Sequence, residues 1–222
     1  MSQGPFEPRF EDLPDTLPVF PLTGVLLLPR ARLPLNVFEP RYLAMVGDAL
    51  AAPARLIGMV QPAGEGGGTN PAIYPIGCAG RIVAFSETED GRYVVTLGGV
   101  CRFAVREELP LQPGGYRRVA ADWSGFRADL EPQEDPALDR RRLVEGLRAY
   151  FRQQGISADW DAIEATPAER LINSLSMICP FGPSEKQALV EAPTLAERAR
   201  ALTALVEMAV LGGTNGGTLP TQ

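Results

Sequence analysis

The pattern of apolar and polar positions changes character near residue 126. Before it, apolar residues come in short runs or alternate with polar ones, punctuated by Pro and Gly. After it, they recur at every third or fourth position. The first texture predicts short strands, the second amphipathic helices. In the strand-rich part, Leu17-Pro18-Val19-Phe20-Pro21-Leu22 is extended, because each proline pushes its predecessor toward β or polyproline geometry. Thr23-Gly24 turns the chain, Val25–Leu28 forms a short buried strand ended by Pro29, and Leu33–Phe38 is a further extended piece. Prolines inside these strands place them at sheet edges. Pro40 suits the first position of a helix and Glu39 the positive end of its dipole. Leu43, Val46 and Leu50 form that helix's stripe, and Ala52-Pro53 ends it.

Leu56–Gln61 predicts a strand, followed by a loop with the glycine-rich stretch Gly64–Gly68. Cys78–Glu87 and Arg92–Leu97 predict a hairpin around Glu89-Asp90-Gly91. Ile82, Ala84, Tyr93, Val95 and Leu97 alternate onto one face. Gly98-Gly99 marks a bulge, after which Val100–Val105 re-enters the sheet with Phe103 inward and Arg102 outward. Arg117–Trp123 is the last strand. Ala128–Pro136 reads as an acidic linker whose Asp129, Glu131, Glu134 and Asp135 are solvated. Asp135-Pro136 caps a helix with Leu143, Leu147, Tyr150 and Phe151 on its buried face and Gly155 as its stop. Thr166–Glu169, Ser184–Gln187 and Thr194–Glu197 are capping boxes. Leu171, Leu175 and Ile178 form a second stripe, and Leu202, Leu205, Val206 and Ala209 a third, ended by Gly212-Gly213. Pro180-Phe181 is a helix-breaking hinge packed onto the sheet. The expected division is an arm over 1–13, a β-rich part over 14–125, a linker over 126–135, a helical part over 136–212 and a tail over 213–222. The fold class is α+β.

Composition adds limits. The chain has 222 residues, 45% hydrophobic and 22% charged, enough for a core that needs no staples. Its net charge of −6 disfavours non-specific nucleic-acid binding. There is no His, which removes the commonest general base and metal ligand. Cys78, Cys101 and Cys179 are too widely spaced for a zinc site and read as buried thiols in a reducing compartment. The N-terminus has no basic, then apolar, signal pattern, and no apolar run reaches membrane-span length. A cytoplasmic protein is expected.

Candidate chemistry is sparse. Gly64–Gly68 is not followed by the Lys-Ser/Thr pair of a phosphate-binding loop. Lys186, the single lysine, reads as a surface charge and not as the base of a Ser-Lys hydrolase. Carboxylate chemistry stays open. Arg140-Arg141-Arg142 reads as a solvated run neutralised by the acidic linker, and Trp160 as packed between helices. No metal site, no cofactor and no enzyme activity are expected.

Two stretches together are distinctive: Leu17-Pro-Val-Phe-Pro-Leu-Thr-Gly-Val-Leu-Leu-Leu-Pro29 with Leu33-Pro-Leu-Asn-Val-Phe-Glu-Pro-Arg-Tyr42 and Met45, and Gly99-Val-Cys-Arg-Phe103. The later Leu175-Ser-Met-Ile-Cys-Pro-Phe181, Glu185-Lys-Gln-Ala-Leu189, Glu191 and Leu195-Ala-Glu-Arg198 agree. From about Leu17 to Leu211 the chain resembles the N-terminal substrate-binding domain of Lon protease, in its stand-alone bacterial form. The resemblance implies a PUA-like β pseudo-barrel with one inserted helix, then a C-terminal helical subdomain. It implies a non-catalytic module that binds unfolded client polypeptides in a groove between barrel and helices, without ATPase or peptidase, and an adaptor role toward a separate protease. The candidate contact residues are Phe38, Glu39, Arg41, Tyr42 and Phe181. The packing alternative has Phe38 and Tyr42 filling the barrel–helix seam while Glu39 and Arg41 pair with other charges. RNA binding through Arg117 and Arg118 with Tyr116 and Trp123 is the competing reading, and a small-molecule pocket in the barrel another.

Overall fold

A computed structural model of the chain describes residues 8–64, 70–131 and 138–214. The strand-rich part comprises β1 (Thr16–Pro21), β2 (Arg32–Val37), α1 (Pro40–Ala51), β3 (Leu56–Val60), β4 (Ile76–Glu87), β5 (Tyr93–Leu109) and β6 (Arg117–Asp122). A 3-10 segment, Ser124–Leu130, leads into α2 (Arg140–Gln154), α3 (Trp160–Ala165), α4 (Ala168–Ile178), α5 (Pro183–Glu191) and α6 (Leu195–Thr214). The strands form one mixed sheet in the order β2-β5-β4-β3-β1-β6, with β6 also pairing β5. The length of β5 makes this possible. Tyr93–Ala104 pairs with β4, Tyr93–Gly98 also with β2, and Ala104–Leu109 with β6. The sheet thus curls into a pseudo-barrel, not a closed barrel, with β2 outside the ring as an edge.

The proline strands divide. β2 is an edge, as its proline predicts. β1 lies between β3 and β6, against expectation. It pairs with β6 over Thr16–Val19 and with β3 over Val19–Pro21. Each of its prolines therefore stands where the strand has one neighbour, so a missing N–H costs little.

Leu26–Leu28 is buried and Val25 partly so, but the run is not a strand. Leu27 enters the apolar cluster beneath α1, whereas Leu26 and Leu28 enter the helical core. The run reads as a strand because it is continuously apolar. It is a loop because its side chains serve two cores on opposite sides. Gly99 lets it pass: Arg30 N–H donates to the Gly99 carbonyl and Gly99 N–H to Ala31, both at 2.8 Å. A Cβ on Gly99 would overlap the Leu28 carbonyl.

α1 starts at Pro40 as expected, but its buried face is Tyr42, Met45, Val46 and Ala49, with Leu43 and Leu50 flanking it. The register of β4 on β5 shifts near Gly99, at the expected bulge, and again between Ile82 and Ala84. The second shift turns Ala84 out to solvent.

The helical caps differ in detail from the expected ones. Asp139 caps α2, accepting from Arg142 N–H at 3.0 Å, while Glu134 and Asp135 lie outside the described residues. Gly155, at φ 65°, stops it. The Thr166 hydroxyl bonds back to the Ala162 carbonyl and makes no capping box. Glu185 accepts from Gly182 N–H, two residues before the expected cap at Ser184. Thr194 and Glu197 do form a box. Ile172 takes the buried place expected for Ile178, and α6 runs past Gly212-Gly213.

The largest departure is at Arg102 and Asp129. Neither is solvated: they are 4% and 6% exposed. Arg102 Nε and Nη2 each reach an Asp129 carboxylate oxygen at 2.8 Å, and Arg102 N–H donates to Oδ2 at 3.0 Å. The guanidinium also donates to the carbonyls of Val190, Ala192 and Pro193. A strand of the sheet thereby holds the C-terminal end of α5. Lys186, expected at the surface, is also buried, with Nζ donating to the carbonyls of Gly24 and Met177 at 2.8 and 2.9 Å. Burial lowers its pKa. Gln61 Nε2 donates to the Pro183 carbonyl and Gln187 Nε2 to that of Ile76.

Removing one partner of a buried ion pair leaves the other uncompensated. Asp129→Ala is expected to cost about 3–5 kcal/mol in equilibrium urea unfolding, and Arg102→Met with Asp129→Leu less than Asp129→Ala alone.

Candidate functional site

β2 alternates. Leu33, Leu35 and Val37 face the core, while Arg32, Pro34 and Asn36 face solvent. The pairing with β5 and β4 extends this outer face. Pro34 lies opposite Thr96, itself opposite Ala84; Asn36 lies opposite Val94, itself opposite Ser86. None of these six side chains is charged. Phe38 continues the outward phase of β2 and is 62% exposed. Val94 is 44% and Val83 51% exposed on the same hairpin. Among the described residues, β2 pairs with no strand on its far side. A patch of apolar and uncharged polar side chains beside an open sheet edge results. Soluble proteins generally guard such edges with charge or cover, and here Arg32 and Pro34 blunt only the first half of the strand.

Phe38 does not fill the seam expected of it, because Val37 takes the inward place one residue earlier. Tyr42 does, packing on Phe20 with ring centroids 4.1 Å apart and the rings tilted by 32°. Arg41 lies 4.6 Å above the Tyr42 ring and pairs with Glu39 at 2.8 Å. Burial pushes the Tyr42 phenol pKa up, against the opposing pull of Arg41. Phe181 is elsewhere: it stacks on Tyr150 at 5.9 Å inside the helical core, not on the sheet. Four of the five candidate residues thus meet at the β2–α1 joint, and of these Phe38 is the apolar one presented to solvent. Val83 and Val94 were missed. The signal for them was two apolar side chains at outward positions of an alternating hairpin.

Three of the four residues of the RNA reading, Arg117, Tyr116 and Trp123, are taken up by the fold. Arg117 is buried, pairs with Glu108 at 2.5 Å and donates to the Pro71 carbonyl at 2.8 Å. The buried Tyr116 hydroxyl donates to Asp48 at 2.6 Å, and burial, then that carboxylate, raises its pKa to about 12. Trp123 Nε1 donates to the Pro14 carbonyl. Tyr116, Arg118, Leu17 and Asp48 help line a cleft of about 740 Å³ near the end of α1.

The expected neutralisation of the arginine run comes from helices: Arg142 pairs with Glu207 at 2.6 Å, Arg141 with Glu145 at 3.8 Å, and Arg140 donates to the Ile163 carbonyl. Trp160 packs on Phe151 at 5.8 Å, beneath Arg148. Of the glycine-rich loop, residues 65–69 lie outside the described residues. Cys78, Cys101 and Cys179 are buried free thiols with raised pKa, chiefly through burial. Among the described residues no group of three or more His, Cys, Asp or Glu could hold a metal ion, and no helix is long and apolar enough to cross a membrane.

The sequence model of the ATP-dependent protease La (LON) substrate-binding domain matches residues 16–207. Lon protease 2 of Sorangium cellulosum is 26% identical over 196 residues, covering 86% of this chain and 24% of that protein. Lon protease 2 of Syntrophobacter fumaroxidans is 30% identical over 195 residues, again 86% and 24%. The chain thus spans about a quarter of the length of these curated relatives. A crystal structure of a Lon N-terminal domain protein from Xanthomonas campestris is similar with a TM-score of 0.57 and 26% identity, over 85% of this chain and 97% of that one. The N-terminal domain of Mycobacterium avium complex Lon protease shares the fold with a TM-score of 0.60 at 16% identity, over 86% and 97%.

Exposure separates the two aromatics of the joint. Phe38→Ser should change stability by less than about 0.5 kcal/mol, and Tyr42→Ala should cost about 3–5 kcal/mol. Chemical denaturation of both variants checks this.

Proposed function

This chain belongs to the family of ATP-dependent protease La (LON) substrate-binding domains, and on that premise we propose that it holds exposed apolar segments of non-native polypeptides. The observation that supports this is the stretch of outer face beyond Arg32, around Pro34, Asn36, Thr96 and Ser86, which carries no charge, with Phe38, Val83 and Val94 left open to solvent. An unfolded segment laid across this face buries its own apolar side chains there. At about 25 cal/mol per Å² of apolar area, a few such contacts give weak, reversible association that tolerates many sequences. Pro34 has no N–H to offer, so full strand addition is interrupted and side-chain contact carries the binding.

In this reading the chain is a non-catalytic module. Lys186 donates to backbone carbonyls and activates no hydroxyl, and the sequence has no His to replace it. Its place is that of an adaptor, handing clients to a separate protease.

A permanently unfolded, reduced and alkylated protein is the test ligand, with binding followed by fluorescence anisotropy. Phe38→Ser combined with Val94→Ser should weaken binding about tenfold or more. Retained affinity in that folded variant, or no binding by the unaltered chain, contradicts the proposal.

A further inference from the structure

Where the start of β2 meets α4, the seam between sheet and helices opens into a cleft of about 580 Å³. Three arginines line it, Arg30, Arg32 and Arg170, against one carboxylate, Glu169. That carboxylate is already engaged, because Arg30 Nε donates to it at 2.6 Å. Arg30 is further fixed by donating to the Asp129 carbonyl. The guanidinium groups of Arg32 and Arg170 have no ion-pair or hydrogen-bond partner among the described residues, and both residues are exposed. Two uncompensated cations therefore face one cleft of a chain whose net charge is −6.

The floor of the cleft adds to this. Asn173, 3% exposed, donates to the Pro29 carbonyl and accepts from Arg198 Nη1 at 3.1 Å. Arg198 lies behind it, also buried, and its Nη2 has no partner. Burial and the nearby Arg102 draw its pKa down to about 10, so it stays charged at neutral pH. The lining also offers an apolar contact: Ile178, at the end of α4, is 67% exposed.

We propose that this cleft takes an acidic–apolar stretch of a polypeptide, its carboxylates on Arg32 and Arg170 and an aliphatic side chain against Ile178. The proposal rests on the polypeptide-binding reading above and adds a charge preference to it. An arginine fork matches a carboxylate, in bidentate fashion where geometry allows. Ile178 offers an apolar contact that an amphipathic peptide can use and a free phosphate cannot. Two free cations beside Glu169 on an acidic protein do not suit a nucleic-acid backbone. Continuity supports one path for the ligand: Arg32 opens β2 and Phe38 follows its end, six residue steps away, or about 20 Å along an extended strand. A segment lying beside β2 would meet cations at one end and Phe38 at the other.

The test uses the full chain and two fluorescein-labelled peptides in an anisotropy titration. One carries two Glu at one end and Leu and Phe at the other; its partner has Gln for both Glu. The Glu peptide should bind about tenfold or more tightly at about 50 mM salt, and the margin should shrink at about 0.5 M. In Arg32→Gln/Arg170→Gln, changed only at exposed side chains, the two peptides should bind alike. Equal binding of both to the unaltered chain overturns the proposal, as does a preference that survives in the double variant. Displacement of the Glu peptide by millimolar inorganic phosphate would make this a free-anion site and equally overturn it. Equal binding that Phe38→Ser still weakens would sink the cleft while leaving the apolar face standing. No binding of either peptide or of the unfolded protein sinks both.

Discussion

The guanidinium of Arg102 and the carboxylate of Asp129 meet inside the protein, almost without access to water. Taking both charges out of solvent costs several kcal/mol per ion, and their attraction offsets this only when the geometry is good and the remaining donors are satisfied. Here both conditions hold. The pair is bidentate, and the guanidinium also donates to three carbonyls around the end of α5. A helix end leaves carbonyls without intrahelical partners, so a strand residue completes what α5 cannot complete alone. The seat of the helices on the sheet depends on this contact. Lys186, Gln61 and Gln187 repeat its logic nearby, each a side-chain donor on a carbonyl across the seam.

With the seam filled in this way, what is left for a ligand is determined by what the fold leaves uncovered. β2 hangs outside the ring because β5 is long enough to pair with it and still return to β6. The helices cover the other side of the molecule's core, through Leu26 and Leu28. Beyond Arg32, the outer face of the β2-β5-β4 region is therefore open, uncharged and backed by the core. The groove between barrel and helices, the expected place for a client, is largely occupied by polar ties. It survives as the arginine-lined cleft beside α4, where Arg32 connects it to β2.

Much of this architecture was legible in the sequence, and what was not has identifiable causes. The β1, β2, β3 and hairpin segments, α1 with Pro40 at its start, and Gly155 as a helix stop all follow from local rules acting within a few residues. Arg102 and Asp129 do not. A strand position next to Phe103 reads as outward, and an Asp among acidic residues reads as solvated, because the partner that buries each lies 27 residues away. Lys186 fails for the same reason, its acceptors being Gly24 and Met177. The apolar Val25–Leu28 run shows that hydrophobicity predicts burial better than it predicts strand. At the site, the β2–α1 joint was visible as a motif, but the inward place of Val37, and so the exposure of Phe38, depends on strand phase. Val83 and Val94 break the alternation of their hairpin and could have been read.

In the proposed function, the open face of β2, β5 and β4 receives non-native polypeptide on a scaffold that does not rearrange. Hydrogen exchange of the full chain, with and without a saturating permanently unfolded protein, tests it most directly. Exchange should slow over residues 32–38 and 83–96 and stay unchanged in α2 and α6. Protection confined to the cleft near Leu17, Tyr116 and Arg118, or a general loosening of the helices on binding, would contradict it.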